Sequence, residues 1–181
     1  MATVRSTDLF RRFDAAEQRL CISFNRWSHR NSIRQFFAVV SRLGNGVFWY
    51  VLILALPLAR GANGGVRALQ FTLTGIVGVL LYKWLKQRFV RERPYISHLS
   101  IRMGTAPLDR YSFPSGHTLH AVSFAILFVA YFPMLAWLVV PFASLVAISR
   151  VVLGLHYPTD VAVGALIGTA LACASIGFTP V

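Results

Sequence analysis

The sequence predicts an all-α protein, a polytopic membrane helix bundle of five to six helices whose N-terminal helix is amphipathic. Three observations predict it. The 181 residues are 56% hydrophobic with a mean hydropathy of +0.59, too apolar for a soluble domain of this size. Apolar runs long enough to cross a bilayer, which takes ~20 residues of helix, recur from Phe36 to the end. Gly and Pro fall between those runs, at Gly61 to Gly65 and at Pro133, where turns are needed.

The first 35 residues differ from the rest. Arg11, Arg12, Asp14, Glu17 and Arg19 interrupt any apolar core, so a cleavable signal is not expected. Leu9, Phe13, Ala16, Leu20, Phe24 and Trp27 recur at three- and four-residue spacing, with charges on the other side, which predicts an amphipathic helix. It is expected to lie flat in the membrane interface with its arginines toward headgroups. Packing of that helix onto the bundle is the competing reading.

Residues 36–181 read as the transmembrane core, the whole chain forming one domain. The first span runs from about Phe36 to Ala59 and the second from about Leu69 to Leu85, with Lys83, Lys86 and Arg88 at the far end, where long basic side chains reach water. A basic loop follows from Val90 to Ser112. The stretch from Tyr111 to Ser149 carries no formal charge, is too long for one span, and is broken at Pro133 and Pro141; it reads as two spans with a tight hairpin near Phe132 and Pro133. The last span, from about Pro158 to Phe178, places Gly164 and Gly168 at a spacing suited to close helix contact.

Net charge is +12, from 18 basic and 6 acidic residues. On a membrane chain this points to phosphate groups and anionic lipid, and a nucleic-acid partner is not expected. Cys21 and Cys173 stand far apart, without the spacing of a disulfide framework or a zinc site.

Ionisable residues inside apolar sequence are costly unless they pair or work. Ser149-Arg150, His156 and Asp160 form one such group. Pro158 suits the first turn of a helix, with Asp160 near its positive end and His156 just before it. A carboxylate near one ring nitrogen would leave the other as nucleophile or base, and Arg150 could hold an anion against it; a self-satisfied buried His–Asp pair reads equally well. Pro114-Ser115-Gly116-His117 opens another span with backbone N–H groups free for a phosphate, or is simply a capped helix start. Lys86 and Arg93-Pro94 supply two cations seven residues apart, unless they only snorkel to the interface. The predicted topology brings all three segments to one side of the membrane. His120, one turn from His117, reads as packing before pocket lining, and His29 and His98 as facing water or headgroups.

Taken together, Lys86-x6-Arg93-Pro94, Pro114-Ser115-Gly116-His117 and Ser149-Arg150-x5-His156-x3-Asp160 resemble the type 2 phosphatidic acid phosphatase family, whose site is shared with vanadium-dependent haloperoxidases. The resemblance spans roughly residues 36–178. It implies a metal-independent lipid phosphatase with no cofactor: His156 forms a phosphohistidine, Asp160 orients its ring, and His117 protonates the leaving oxygen. Lys86, Arg93, Arg150, Ser115 and Gly116 hold the phosphoryl group. Short bacterial members make undecaprenyl diphosphate the first expected substrate, ahead of phosphatidic acid and phosphatidylglycerophosphate; a catalytically silent lipid-phosphate-binding protein is the alternative from another class. The family core usually has six helices, so the segment before Phe36 would have to supply the first. An excess of Arg and Lys on the site side argues for the cytoplasm, whereas bacterial members of the family suggest an inner-membrane protein with a periplasmic site, which is the expectation adopted.

Overall fold

The computed structural model describes residues 2–179, with side chains from residue 14 onward. Seven α-helices, and no strand among the described residues, make up the chain: α1 (Ala2–Asn25), α2 (Asn31–Leu43), α3 (Val47–Arg88), α4 (Pro94–Ser97), α5 (Gly116–Tyr131), α6 (Ala136–Val152) and α7 (Pro158–Phe178).

α3 is a helical hairpin. Gly61 has φ 56° and ψ −136°, a conformation open to glycine at little cost, and the chain reverses there. Trp49 lies 6.4 Å and Phe71 4.8 Å, centroid to centroid, from the same Phe128 ring. In a straight helix those two side chains would stand about 33 Å apart along the axis. The legs, 47–60 and 62–88, are the first two expected spans, and the turn falls in the glycine-rich segment that predicted it. Gly64 lies so close beneath Leu56 that a Cβ there would sit 2.0 Å from the Leu56 carbonyl oxygen.

α5 is the central helix, packed by α3, α6 and α7. Leu119, Ala121, Leu127 and Phe128 on it are fully buried, and the last three cluster with Trp49, Phe71, Val139, Val146 and Ala172. Outward-facing Leu54, Leu58, Leu80, Trp137 and Leu166 stay exposed, as befits a bundle whose solvent is hydrocarbon. Gly164 and Gly168 let α7 approach α5: a Cβ would lie 2.6 Å from the Ser115 carbonyl oxygen at the first and 2.4 Å from that of Leu119 at the second. α3, the segment Pro133–Val152 and α7 are long and apolar enough to cross a membrane, with α5 shorter but equally apolar.

Three expectations need correction. The first span is not continuous, because Gly44-Asn45-Gly46 breaks it: α2 ends at Leu43, and Gly46 takes φ 133°. α6 runs through Pro141 without a break, the turn being made by Phe132 and the 3₁₀ segment Pro133–Leu135. α1 follows the competing expectation and packs onto the bundle. It docks on α6 and α7 through a buried stripe of Glu17, Cys21, Asn25 and, beyond its end, Ser28, while Leu20 and Trp27 of the expected apolar face point outward. Leu9 and Phe13 lie outside the described side chains. The reason is polar: Asn25 clamps the basic loop to the end of α6, donating to the carbonyls of Arg102 (2.9 Å) and Val152 (3.0 Å) and accepting from the Arg102 N–H (2.8 Å).

Candidate active site

The turn after α6 brings the first two site residues together. Gly154 has φ 71°, and a Cβ there would strike Ile101 and the Arg102 carbonyl. That reversal lets the N–H groups of Leu155 and His156 both return to the Arg150 carbonyl at 3.0 Å. Arg150 at the last turn of α6 and His156 before α7 therefore face one cavity despite the five residues between them. Pro158 then opens α7, and Asp160 in its first turn accepts the Tyr157 N–H at 2.9 Å. The Ser115 N–H donates to the Asp160 carbonyl at 3.0 Å, which pins the start of α5 to the start of α7.

One cavity of about 600 Å³ is lined by Lys86, Arg93, Gly116, His117, Arg150 and His156, six of the eight residues singled out in the sequence. Arg93, 1% exposed, donates to the Leu155 carbonyl (2.7 Å) and lies 3.3 Å from His156 Nε2. Arginine has only N–H groups to give, so Nε2 accepts and the ring hydrogen belongs on Nδ1. Nδ1 has no hydrogen-bond partner among the described residues and stands 3.6 Å from Asp160 Oδ2, beyond hydrogen-bond length. Burial pushes the His156 imidazole well below its usual pKa, and the charges of Arg150, Arg93 and Lys86 push the same way. The free ring is neutral, with its Nε2 lone pair toward the cations.

Arg150 is 2% exposed. It hydrogen-bonds the Ser41 hydroxyl of α2, its Nε has no partner, and no carboxylate pairs with it among the described residues. Lys86 and Arg93 share Asp109 Oδ1, at 2.9 and 2.6 Å. Burial alone would raise the Asp109 pKa, but the hydrogen bonds and charges of Lys86 and Arg93 outweigh it and hold the carboxyl below its usual range. Three cations thus face one carboxylate across the cavity, an excess of positive charge suited to a phosphoryl dianion.

Two singled-out residues stand behind the cavity wall. Ser115 is fully buried as the N-cap of α5; its oxygen meets the Thr118 hydroxyl at 2.9 Å and the Thr118 N–H at 3.4 Å. The hydroxyl is occupied in satisfying a helix end, and it is the Gly116 backbone that lines the cavity. Asp160, fully buried, stands on the Nδ1 side of the His156 ring. His117 Nε2 bonds the Asn45 side-chain oxygen in the Gly44–Gly46 break. His120 is held between the carbonyls of Gly116 and Gly75 at 2.8 and 3.1 Å, and it also lines the cavity, so both readings of it hold.

Sequence reasoning missed Ser41, Asn45 and Asp109, and also Arg91, which pairs with Asp160, and Glu17, which pairs with Arg91. The break at Gly44-Asn45-Gly46 was a readable signal for Asn45. The others reach the site across long sequence separations that no local pattern carries.

An all-α membrane bundle with cations and two histidines converging at the ends of its spans is a membrane phosphatase architecture. Residues 67–180 match the sequence profile of the PAP2 superfamily, and the chain belongs to that superfamily; it is a membrane lipid phosphatase. It is 28% identical over 151 residues to the undecaprenyl-diphosphatase BcrC of Bacillus subtilis, covering 83% of this chain and 75% of that one. Among solved structures it resembles Aquifex aeolicus LpxE, with a TM-score of 0.73 at 26% identity over 85% of this chain and 92% of the other. It also resembles the PAP2-type phosphatidylglycerolphosphate phosphatase of Bacillus subtilis, with a TM-score of 0.66 at 25% identity over 92% and 85%.

Proposed function

We propose that the protein removes phosphate from a polyprenyl diphosphate, undecaprenyl diphosphate first, through a phosphohistidine on His156 and without a metal cofactor. The observation that carries this reading is Arg150: a buried guanidinium without a carboxylate partner, facing the same cavity as the neutral His156. An unpaired buried charge is costly, and an incoming phosphoryl group removes that cost.

In this mechanism His156 Nε2 attacks phosphorus as the bond to the leaving oxygen breaks, and His117 gives that oxygen its proton. Asn45 accepts from His117 Nε2 and fixes the orientation of the ring. Lys86, Arg93, Arg150 and the N–H groups at the start of α5 stabilise charge on the phosphoryl oxygens. Water then attacks phosphorus, His117 takes a proton from it, and the N–P bond breaks to return His156.

The lipid reading rests on where the cavity leads. Beyond the cations it runs between the two legs of α3, past Trp49, Ile53, Leu54, Ile76, Val79 and Leu80. Leu54 and Leu80 are also exposed on the outer surface, so a headgroup can enter sideways while its tail stays in the bilayer. The likeness to a phosphatase named for phosphatidylglycerolphosphate favours phosphatidylglycerophosphate as a second substrate. We place the protein in a bacterial inner membrane with the site facing the periplasm.

Phosphate release by purified protein from undecaprenyl diphosphate, phosphatidic acid and phosphatidylglycerophosphate tests the reading. The expected result is turnover that is highest on the diphosphate, unaffected by EDTA and absent in His156→Ala. Activity that EDTA abolishes and magnesium restores, or full turnover by His156→Ala, would overturn it.

A further inference from the structure

Asp160 is fully buried, yet His156 is not its closest partner. Arg91 Nη1 donates to Asp160 Oδ1 at 2.7 Å, and its Nη2 donates to Glu17 Oε2 at 2.6 Å. The guanidinium stands 3.9 Å from the centroid of the Tyr157 ring, which limits its freedom. Glu17 is itself 5% exposed and is held at the N-terminus of α7, accepting the Thr159 N–H at 2.9 Å and the Thr159 hydroxyl. Arg91 Nη1 also donates to Thr159 Oγ1 at 2.8 Å. One guanidinium therefore bridges two buried carboxylates, one from α1 and one from the site.

Resting on the phosphohistidine reading, we propose that Arg91 and Glu17 are positioning residues for phosphoryl transfer. Arg91 fixes the plane of the Asp160 carboxylate so that Oδ2 faces His156 Nδ1. Glu17 cancels the charge that Arg91 brings. Arg91 alone would neutralise Asp160 just as the imidazole ring gains positive charge on attacking phosphorus. With Glu17 in place the three side chains keep one net negative charge, the complement of a phosphorylated imidazolium. This makes α1 part of the catalytic apparatus: Glu17 lies 74 residues before Arg91 and 142 before Thr159 in sequence.

The test is a double-mutant cycle on full-length protein in detergent, with kcat and KM measured on undecaprenyl diphosphate for Glu17→Gln, Arg91→Lys, Asp160→Asn and the Glu17→Gln/Asp160→Asn pair. Glu17→Gln is expected to lower kcat by about 10- to 100-fold, as losses of residues that orient a reacting group do, with KM within about twofold because no substrate contact is lost. Arg91→Lys keeps the charge but not the fork that spans two carboxylates, so it should do the same. Because Glu17 acts through Asp160, the pair should be no slower than Asp160→Asn alone. A kcat for Glu17→Gln within about twofold of the parent, or losses that multiply in the pair, would overturn the proposal. So would failure of both Glu17→Gln and Arg91→Lys to fold while Asp160→Asn folds, which would make the bridge a clamp only. Full turnover by Asp160→Asn would overturn it as well, whereas full turnover by His156→Ala is a different failure, that of the phosphohistidine mechanism.

Discussion

Gly164→Ala separates packing from catalysis. The added Cβ would lie 2.6 Å from the Ser115 carbonyl oxygen, and ordinary contact begins near 3.4 Å, so α5 and α7 must part by about 0.8 Å at that point. Neither side yields easily. The Ser115 carbonyl accepts the Leu119 N–H, and its own N–H is bound to the Asp160 carbonyl, both at 3.0 Å. The next two residues, Gly116 and His117, line the cavity. A displacement approaching 1 Å at a reacting centre costs up to about 100-fold, so kcat/KM should fall about 10- to 100-fold, with about 1–3 kcal/mol lost in stability from overpacking. Gly168→Ala meets the Leu119 carbonyl at 2.4 Å, one turn deeper; it should destabilise at least as much while sparing more activity. Gly177→Ala, with nothing within 4 Å, should leave both unchanged or gain slightly in stability. Thermal unfolding in detergent beside kcat/KM on a lipid phosphate reads all three. Full activity in Gly164→Ala, or equal activity losses at 164 and 168, would refute the claim that this contact sets the phosphate site.

Burial and three neighbouring cations depress the His156 pKa, so its neutral, nucleophilic form should persist as pH falls below the ordinary imidazole value of about 6.5; NMR of isotope-labelled histidine, assigned through His156→Ala, should show no titration there, and a midpoint at or above that value would contradict the site electrostatics. Asp109 occupies Lys86 and Arg93 in the free protein. Asp109→Asn should therefore tighten inhibition by orthovanadate, a five-coordinate phosphate mimic, by about two- to fivefold, the value of a partly exposed ion pair; weaker inhibition would mean the carboxylate builds the site instead of competing for it. For sidedness, single cysteines at Ser100 and Asn63 in a background without Cys21 and Cys173 can be treated with a membrane-impermeant thiol reagent in cells whose outer membrane admits it. Labelling at Ser100 alone is expected, and labelling at Asn63 alone would place the site in the cytoplasm.

The three charged segments and their convergence were readable in the sequence because ionisable residues in apolar surroundings stand out and helix-start residues mark where they sit. The Gly61 turn and the Gly164–Gly168 contact were readable for the same local reasons. Docking of α1 was one of two readings, but the face by which it docks was not legible. Hydrophobic periodicity finds the face that avoids water, and in a membrane protein that face can meet lipid while Glu17, Cys21 and Asn25 turn inward to partners elsewhere in the chain. Ser115 shows a subtler limit: its place in the motif suggested a phosphate contact, but a helix end needs a cap and takes the hydroxyl first. Arg91 was visible only as one more basic residue in a basic loop, since what distinguishes it is the pair of buried carboxylates that the fold brings to it.

The central claim is the covalent intermediate on His156. Rapid mixing of the purified protein with a ³²P-labelled lipid phosphate, followed by alkaline quench and peptide mass spectrometry, tests it directly. The account predicts an acid-labile phosphoryl group on the peptide carrying His156, transient in the parent protein, longer-lived when water attack on the phosphohistidine is slowed in His117→Ala, and absent in His156→Ala. A phosphoryl group on another residue, or single-turnover phosphate release with no phosphorylated peptide at any time point, would contradict it.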